Sequence, residues 1–185
     1  IKACYKKLDY TGKRVQDLIK EFALKEGVTP QVFAMNIEEA ERVYELNFLQ
    51  EARNVKKHVL PGAIKTLSAL QGKHKLALVT GTTCAISEVV LRESGLKKYF
   101  PVVVCADQAP TRAELVKLAI RKSGKASEVW VVGDSTRDID SGKANNTKTI
   151  AVMTGEHDRK TLAARNPDYI FKDLTPTKRI IEVIG

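Results

Sequence analysis

Two aspartates that follow an apolar run are the strongest candidates for chemistry in this sequence. Val131-Val132 leads through Gly133 into Asp134, and Asp138 lies four residues further on. An apolar strand that ends in glycine and runs into a helix places both carboxylates at the start of that helix. Proteins hold Mg²⁺ with one or two carboxylates, completed by waters and phosphate oxygens. The spacing therefore permits a magnesium site formed by Asp134 and Asp138.

The same residues also fit a purely structural role. Ser135 and Asp138 have the spacing of a helix-capping pair, in which a serine and an acidic side chain three residues later satisfy free backbone amides. A metal site and a cap are compatible, because one set of residues can serve both. The spacing by itself leaves both interpretations open.

A second candidate lies after the apolar run Leu76–Val79, where Thr80, Gly81, Thr82 and Thr83 precede a predicted helix that starts near Cys84. Hydroxyl groups, a glycine that allows close backbone approach and the positive end of a helix together favour binding of a phosphate. Turns of this composition are also common as plain capping loops. This segment alone therefore leaves phosphate binding and simple capping as alternatives.

The elements that must position these turns are short apolar runs alternating with helical segments. The predicted strands are at 76–79, 102–104, 129–132, 149–152 and 169–171, and the predicted helices at 84–94, 112–123, 137–145, 158–165 and after Pro176. This alternation predicts an α/β fold with a doubly wound parallel sheet. Ligands of such sheets bind beyond the carboxyl ends of the strands. That rule selects Thr80, Asp107, Asp134 and Thr154 as candidate site residues.

The part of the chain before this alternation is helical by pattern. Apolar residues recur at helical spacing from Val15 to Ala23, and Thr29-Pro30 predicts the start of a long amphipathic helix over 32–52. Pro61-Gly62 then interrupts the pattern. We expect a small all-helical domain over residues 1–57 and an α/β domain over residues 58–185.

Composition excludes several classes of protein. Of the 185 residues 43% are apolar, enough to bury a sizeable core, and no run of about 18 apolar residues predicts a membrane helix. The three cysteines, Cys4, Cys84 and Cys105, are widely spaced, which favours a reduced, cytoplasmic setting. The formal net charge of +9 favours anionic ligands, but the basic residues are scattered and nucleic acid is not an expected partner.

Taken together, these segments resemble the haloacid dehalogenase-like hydrolases, in particular the phosphoglycolate phosphatase-like members with a helical cap. The resemblance rests on Gly133-Asp134-Ser135-Thr136-Arg137-Asp138-Ile139 with Ser141-Gly142-Lys143-Ala144-Asn145 behind it, on Thr80, and on Leu60-Pro61-Gly62-Ala63. It extends to Thr154-Gly155-Glu156-His157 and Pro167-Asp168-Tyr169-Ile170. It implies a Rossmann-like core with a helical cap domain.

The resemblance also implies a function. A family member of this type is a magnesium-dependent phosphatase that hydrolyses a small phosphorylated metabolite, such as phosphoglycolate, through an aspartyl-phosphate. Asp134 and Asp138 would be the metal residues, Thr80, Gly81, Thr82 and Arg112 the substrate-binding residues, and Thr80, Arg112, Asp134 and Asp138 the catalytic group. The alternative is a catalytically inactive relative that binds phosphate or metal as a regulatory protein. The oligomeric state is left open.

The sequence departs from the family pattern in two places. The nucleophile and the acid/base are two aspartates at the end of a first core strand ahead of the cap, and Asp9-Tyr10-Thr11-Gly12 matches that strand end poorly. Ile1 to Leu8 instead resembles the helix that follows the nucleophile, which predicts that roughly 10 to 20 residues precede Ile1 in the natural protein. The family's lysine falls on Ala109, so Arg112, or Lys117 further along, is the expected cation.

Overall fold

The computed structural model of the chain describes residues 10–52 and 58–185. The expected helix at Ile1 to Leu8, Cys4, Asp9 and the boundary expected at residue 57 lie outside the described residues. None of the helices within these two ranges has the length and hydrophobicity needed to cross a membrane.

Two helices form the first described part of the chain, as the sequence predicts. Helix α1 spans Val15–Lys25 and helix α2 spans Pro30–Ala52, and the two pack against each other. The predicted start of α2 is confirmed, because the Val32 amide donates a hydrogen bond to Thr29 Oγ1 at 3.3 Å and proline occupies the first turn.

The remaining residues alternate between helices and parallel strands, which confirms the α/β prediction. The elements in chain order are α3 (Ala63–Leu70), β1 (Ala77–Val79), α4 (Cys84–Glu93), β2 (Val102–Val104), α5 (Arg112–Ser123), β3 (Trp130–Gly133), α6 (Thr136–Ala144), β4 (Lys148–Val152), α7 (Arg159–Ala163), β5 (Tyr169–Phe171) and α8 (Thr177–Ile184). Short 3-10 turns cover Lys97–Tyr99 and Ala106–Gln108.

The strands form two parallel ladders. Strand β1 pairs with β2, with Val79 opposite Val104, and β3, β4 and β5 pair in that order, with Gly133 opposite Ala151. The single sheet expected from the sequence is therefore divided into two separate ladders. Within the described ranges, the other edge of β1 and the other edge of β3 have no strand partner.

The interior is built from two clusters that match the two ladders. The first cluster contains the fully buried Val104 of β2 and Leu115 of α5, packed with residues of β1. The second contains Ile139 of α6, Ala151 of β4 and Leu162 of α7. Helices α5 and α6 pack against each other and connect the two halves. The carboxyl ends of both ladders thus keep a fixed relation to one another.

Trp130 differs from the prediction of a core residue. Its side chain is only half-buried, its indole Nε1 donates to Glu128 Oε2 at 2.7 Å, and its ring lies 6.0 Å from that of Tyr169. An indole N–H requires a partner when it leaves water, and the position near the amino end of β3 provides one at the surface.

Candidate active site

The turn between β3 and α6 is closed by a capping box. The Ser135 hydroxyl accepts a hydrogen bond from the Asp138 amide at 3.3 Å, and Asp138 Oδ2 accepts from the Ser135 amide at 3.1 Å and from its hydroxyl at 2.7 Å. Ser135 is fully buried and Asp138 is 6% exposed. The capping interpretation of this pair is confirmed.

The glycine before the motif is required by close approach. An added Cβ on Gly133 would lie 2.3 Å from Asp138 Cγ, well inside van der Waals contact. Any larger residue at the end of β3 would push the Asp138 carboxylate out of the cap. This accounts for the glycine that ends the apolar run in the sequence.

The second oxygen of Asp138 is also occupied. Its Oδ1 accepts a hydrogen bond from Arg112 Nη2 at 2.5 Å, and the two side chains retain only 9% and 19% exposure. Both oxygens of Asp138 are therefore bound by protein groups. Asp138 sits behind Asp134 as the anchor of an arginine, and its role as a metal residue stays a prediction.

Arg112 is the first residue of α5, and its guanidinium connects the two candidate turns. An added Cβ on Gly81 would lie 3.3 Å from Arg112 Nη1, while Nη2 holds Asp138. Its Nε is buried without a hydrogen-bond partner among the described residues. Arg112 is therefore largely buried and is not a solvated surface residue. Lys117, the other candidate cation, is exposed on the same helix.

The turn after β1 is held in place by backbone contacts. Thr80 Oγ1 accepts a hydrogen bond from the Thr82 amide at 3.2 Å, and the Gly81 carbonyl accepts from the Val15 amide at 2.7 Å. An added Cβ on Gly81 would lie 2.3 Å from the Lys13 carbonyl oxygen. The glycine is thus needed because the segment leading into α1 crosses directly over it.

Asp134, which directly follows β3, has a half-buried carboxylate. Burial raises its pKa above the ordinary range and the negative charge of Asp138 adds to the increase, while Arg112 and His157 oppose it. The loop after β4 approaches it, since an added Cβ on Gly155 would lie 2.8 Å from the carboxylate. A carboxylate destabilised in this way would gain from a neighbouring cation.

Two groups at this edge were not anticipated as site residues. His157 Nδ1 accepts a hydrogen bond from the Thr136 amide at 3.1 Å and so helps to cap α6. Gly12 packs against Ser135, and the Arg137 guanidinium donates to the Thr11 carbonyl. In the sequence, the glycine at residue 12 was the signal that could have indicated these contacts. In the structure its φ of +65° marks a tight turn.

Part of the candidate set lines a cleft of about 340 Å³. Thr80, Gly81, Thr82 and Arg112 line one side of it. Leu18 of α1 and Tyr44 of α2 also line it. Asp134 and Asp138 are not among the described residues that line it. The link between the two motifs is Arg112, which lies against Gly81 and binds Asp138. Asp107 and Thr154, selected by the same rule, do not line this cleft.

Comparison with known proteins agrees with this architecture. The sequence model of the family described as haloacid dehalogenase-like hydrolase matches residues 6–152. A phosphoglycolate phosphatase of Vibrio parahaemolyticus is 28% identical over 142 residues, which is 74% of this chain and 62% of the relative. The pyrophosphatase PpaX of Bacillus pumilus is 32% identical over 123 residues, which is 64% of this chain and 57% of the relative.

A solved structure shares the fold. A hydrolase from Pseudomonas syringae superposes with a TM-score of 0.73 at 18% identity, covering 94% of this chain and 80% of that structure. The aligned parts span 51% to 62% of the first four curated relatives. With a family match over most of its length and the same fold, the chain belongs to the haloacid dehalogenase-like hydrolases.

Proposed function

We propose that the chain hydrolyses a small phosphate monoester with the help of Mg²⁺, using the Thr80 turn and the Asp134 turn together. The observation that carries this proposal is the position of Arg112, which lies against Gly81 on one side and binds Asp138 on the other. A cation fixed between a hydroxyl-rich turn and a pair of carboxylates suits a phosphoryl group that must meet a metal ion.

The phosphoryl group binds at the Thr80 turn in this proposal. Thr80, Gly81 and Thr82 line the cleft together with Arg112, whose guanidinium provides positive charge. Fixed donors and a fixed cation stabilise the charge that develops on the equatorial oxygens during transfer. Arg112 needs no reorganisation to do so, because Asp138 already holds it.

Asp134 is the residue proposed to hold Mg²⁺. It is half-buried next to Asp138, and its pKa is raised mainly by burial, so a divalent cation would relieve an unfavourable charge. One free carboxylate, with waters and phosphate oxygens completing the shell, is a sufficient protein contribution for Mg²⁺. When bound, the ion neutralises charge on the phosphoryl group. Asp138 supports the site from behind through Ser135 and Arg112.

Hydrolysis through an aspartyl-phosphate is part of the same proposal. A carboxylate oxygen attacks phosphorus, the P–O bond to the leaving alcohol breaks, and water then cleaves the acyl phosphate. The other edges of β1 and β3 have no strand partner within the described ranges, and the proposal places the attacking aspartate on a further strand that pairs there. Measuring the intact mass of the natural protein tests this: a product that begins at Ile1 contradicts it.

The helical part of the chain acts as the cap in this proposal. Leu18 and Tyr44 face the cleft, so α1 and α2 select the leaving group and exclude water from the phosphoryl group. Relatives include proteins named phosphoglycolate phosphatase and pyrophosphatase. A small anionic phosphate monoester in the cytoplasm is therefore the proposed substrate class.

An assay with a generic aryl phosphate tests the function. We expect turnover that requires Mg²⁺ and is lost with a chelator. Asp134→Asn should lower turnover by roughly tenfold or more while the protein remains folded, because the variant weakens the hold on the metal.

Asp140→Asn is the matched control, because Asp140 lies on α6, the helix that follows Asp134, is exposed and contacts only Arg165 at 3.8 Å among the ion pairs described. Turnover of Asp134→Asn equal to that of this control would contradict the assignment. Magnesium-dependent binding of inorganic phosphate without any turnover would instead identify a non-catalytic member of the family.

A further inference from the structure

Cys84, Cys105 and Asp107 form a cluster that the proposed phosphatase chemistry does not use. Their two sulfur atoms and one carboxylate oxygen all lie within 4.8 Å of one another. The cysteines are widely spaced in the sequence, and the fold brings two of them together. We propose that these three side chains bind a thiophilic divalent cation of the Zn²⁺ class.

The strands determine this arrangement. Val79 pairs with Val104 in the parallel ladder, so the segments that follow β1 and β2 leave the sheet side by side. Cys84 begins α4 and Cys105 directly follows β2. The Ala106 amide donates to the Thr82 carbonyl at 2.9 Å and fixes the two segments to each other. The three ligands are therefore held close by backbone structure, without any need for the cation.

The donor atoms match zinc chemistry. Zn²⁺ binds cysteine sulfur and carboxylate oxygen in tetrahedral geometry, and three protein ligands leave the fourth position for water. Cys105 Sγ also accepts a hydrogen bond from the Gln108 amide, which would stabilise a thiolate. Mg²⁺ prefers an all-oxygen shell, so this cluster would discriminate against the ion proposed at Asp134.

A cation can reach the cluster from one side. Cys105 is buried and Cys84 is half-buried, but Asp107 is exposed. Asp107 lines a surface cavity of about 400 Å³ together with Gln16 and Glu41, and the Gln16 Oε1 atom is buried there without a hydrogen-bond partner among the described residues. Asp107 thus connects the cluster to this cavity, whose other lining residues include further oxygen donors.

The thiols are protonated before the cation binds. Burial raises the pKa of Cys84, with Cys105 and Asp107 adding to the increase, and burial likewise raises the pKa of Cys105. Each thiol would release its proton to solvent as its sulfur coordinates, so binding should strengthen as the pH rises.

Co²⁺ is the probe, because thiolate ligands give it a charge-transfer absorption that oxygen ligands do not. We expect reduced, metal-free protein to bind one Co²⁺ per chain with this band, and Zn²⁺ to remove the band by displacement. Cys84→Ser and Cys105→Ser should abolish it. Asp107→Asn should weaken Co²⁺ binding by at least about 10-fold, the lower range for disturbing a metal shell.

Two variants serve as controls. Cys4→Ser keeps two cysteines and should retain the band, and Asp134→Asn should also retain it, which separates this site from the proposed magnesium site. If Cys105→Ser unfolds, Cys105→Ala and the exposed Asp107→Asn still test the ligands. The proposal is overturned by a wild-type protein without a thiolate band, or by a band that survives Cys84→Ser. A peroxide-induced disulfide between Cys84 and Cys105 in protein that binds no Co²⁺ would overturn it in favour of a redox pair.

Discussion

Helices α4 and α6 both begin where a parallel strand ends, yet their first turns differ. In α6 the Ser135 and Asp138 side chains exchange hydrogen bonds with each other's amides, and His157 accepts from the next amide. In α4 the preceding Thr83 makes no capping hydrogen bond, and its buried hydroxyl has no partner among the described residues.

The difference separates two kinds of chemistry. Unsatisfied amides at a helix start attract anions, so the open start of α4 suits a phosphoryl group next to Thr80. At the start of α6 the Asp138 carboxylate already accepts the capping hydrogen bond, so Asp134 does not serve as the cap. Asp138 also binds Arg112 and fixes its position. In the proposed function, the same fold position would therefore bind the phosphoryl group after β1 and the cation after β3.

The largest expected effect is on the ion pair that joins the two turns. Arg112→Ala leaves the Asp138 carboxylate largely buried without its cation, and we expect a loss of roughly 3 kcal/mol in the free energy of unfolding, together with a large loss of turnover. Urea unfolding and the aryl phosphate assay measure the two effects.

Lys117→Ala is the control for this arginine, because Lys117 is exposed on the same helix and was the other candidate cation. Its stability should change by no more than about 0.5 kcal/mol. Equal loss of turnover in the two variants would show that Arg112 contributes no more to catalysis than an exposed lysine of the same helix.

The next effect concerns the closed helix start. Gly133→Ala places a methyl group against Asp138 Cγ, and we expect a loss of roughly 2 kcal/mol in the free energy of unfolding because the cap must shift. Turnover should fall as well, since Asp138 then misplaces Arg112. Unchanged stability in urea would show that the carboxylate has room to move without cost.

A smaller effect compares the two caps directly. Ser135→Ala removes a capping hydroxyl and should cost about 1 kcal/mol of stability. Thr83→Val removes a hydroxyl that caps nothing and should be neutral or slightly stabilising. Thermal unfolding of the matched pair measures the difference, and equal losses would contradict the contrast between the helices.

The smallest effect is a pH dependence. The pKa of Asp134 is raised in the fold, mainly by burial, so the unfolded chain gives up this proton more readily and stability falls as pH rises through the carboxyl range. Asp134→Asn should therefore be more stable than the wild type near neutral pH without Mg²⁺, and no more stable at about pH 3. Added Mg²⁺ should stabilise the wild type only, and equal stabilisation of both proteins would remove Asp134 from the metal site.

Local patterns carried much of the prediction. The five apolar runs and the helix start at Thr29-Pro30 depend on neighbouring residues alone, and all of them were found. Cys84 and Asp107 could not be paired by the same reasoning, because their distance depends on the register of β1 against β2. The half-buried position of Trp130 likewise depends on Tyr169, which comes from a different strand.

The sequence by itself determined the fold class, the two strand-end motifs and the capping pair, because each is a matter of side-chain type at short spacing. Only the tertiary structure decided that Arg112 joins the two motifs, that both oxygens of Asp138 are occupied, and that two distant cysteines meet an aspartate. Contacts of this kind are fixed by strand pairing and helix packing over many residues, and no local pattern of residues encodes them.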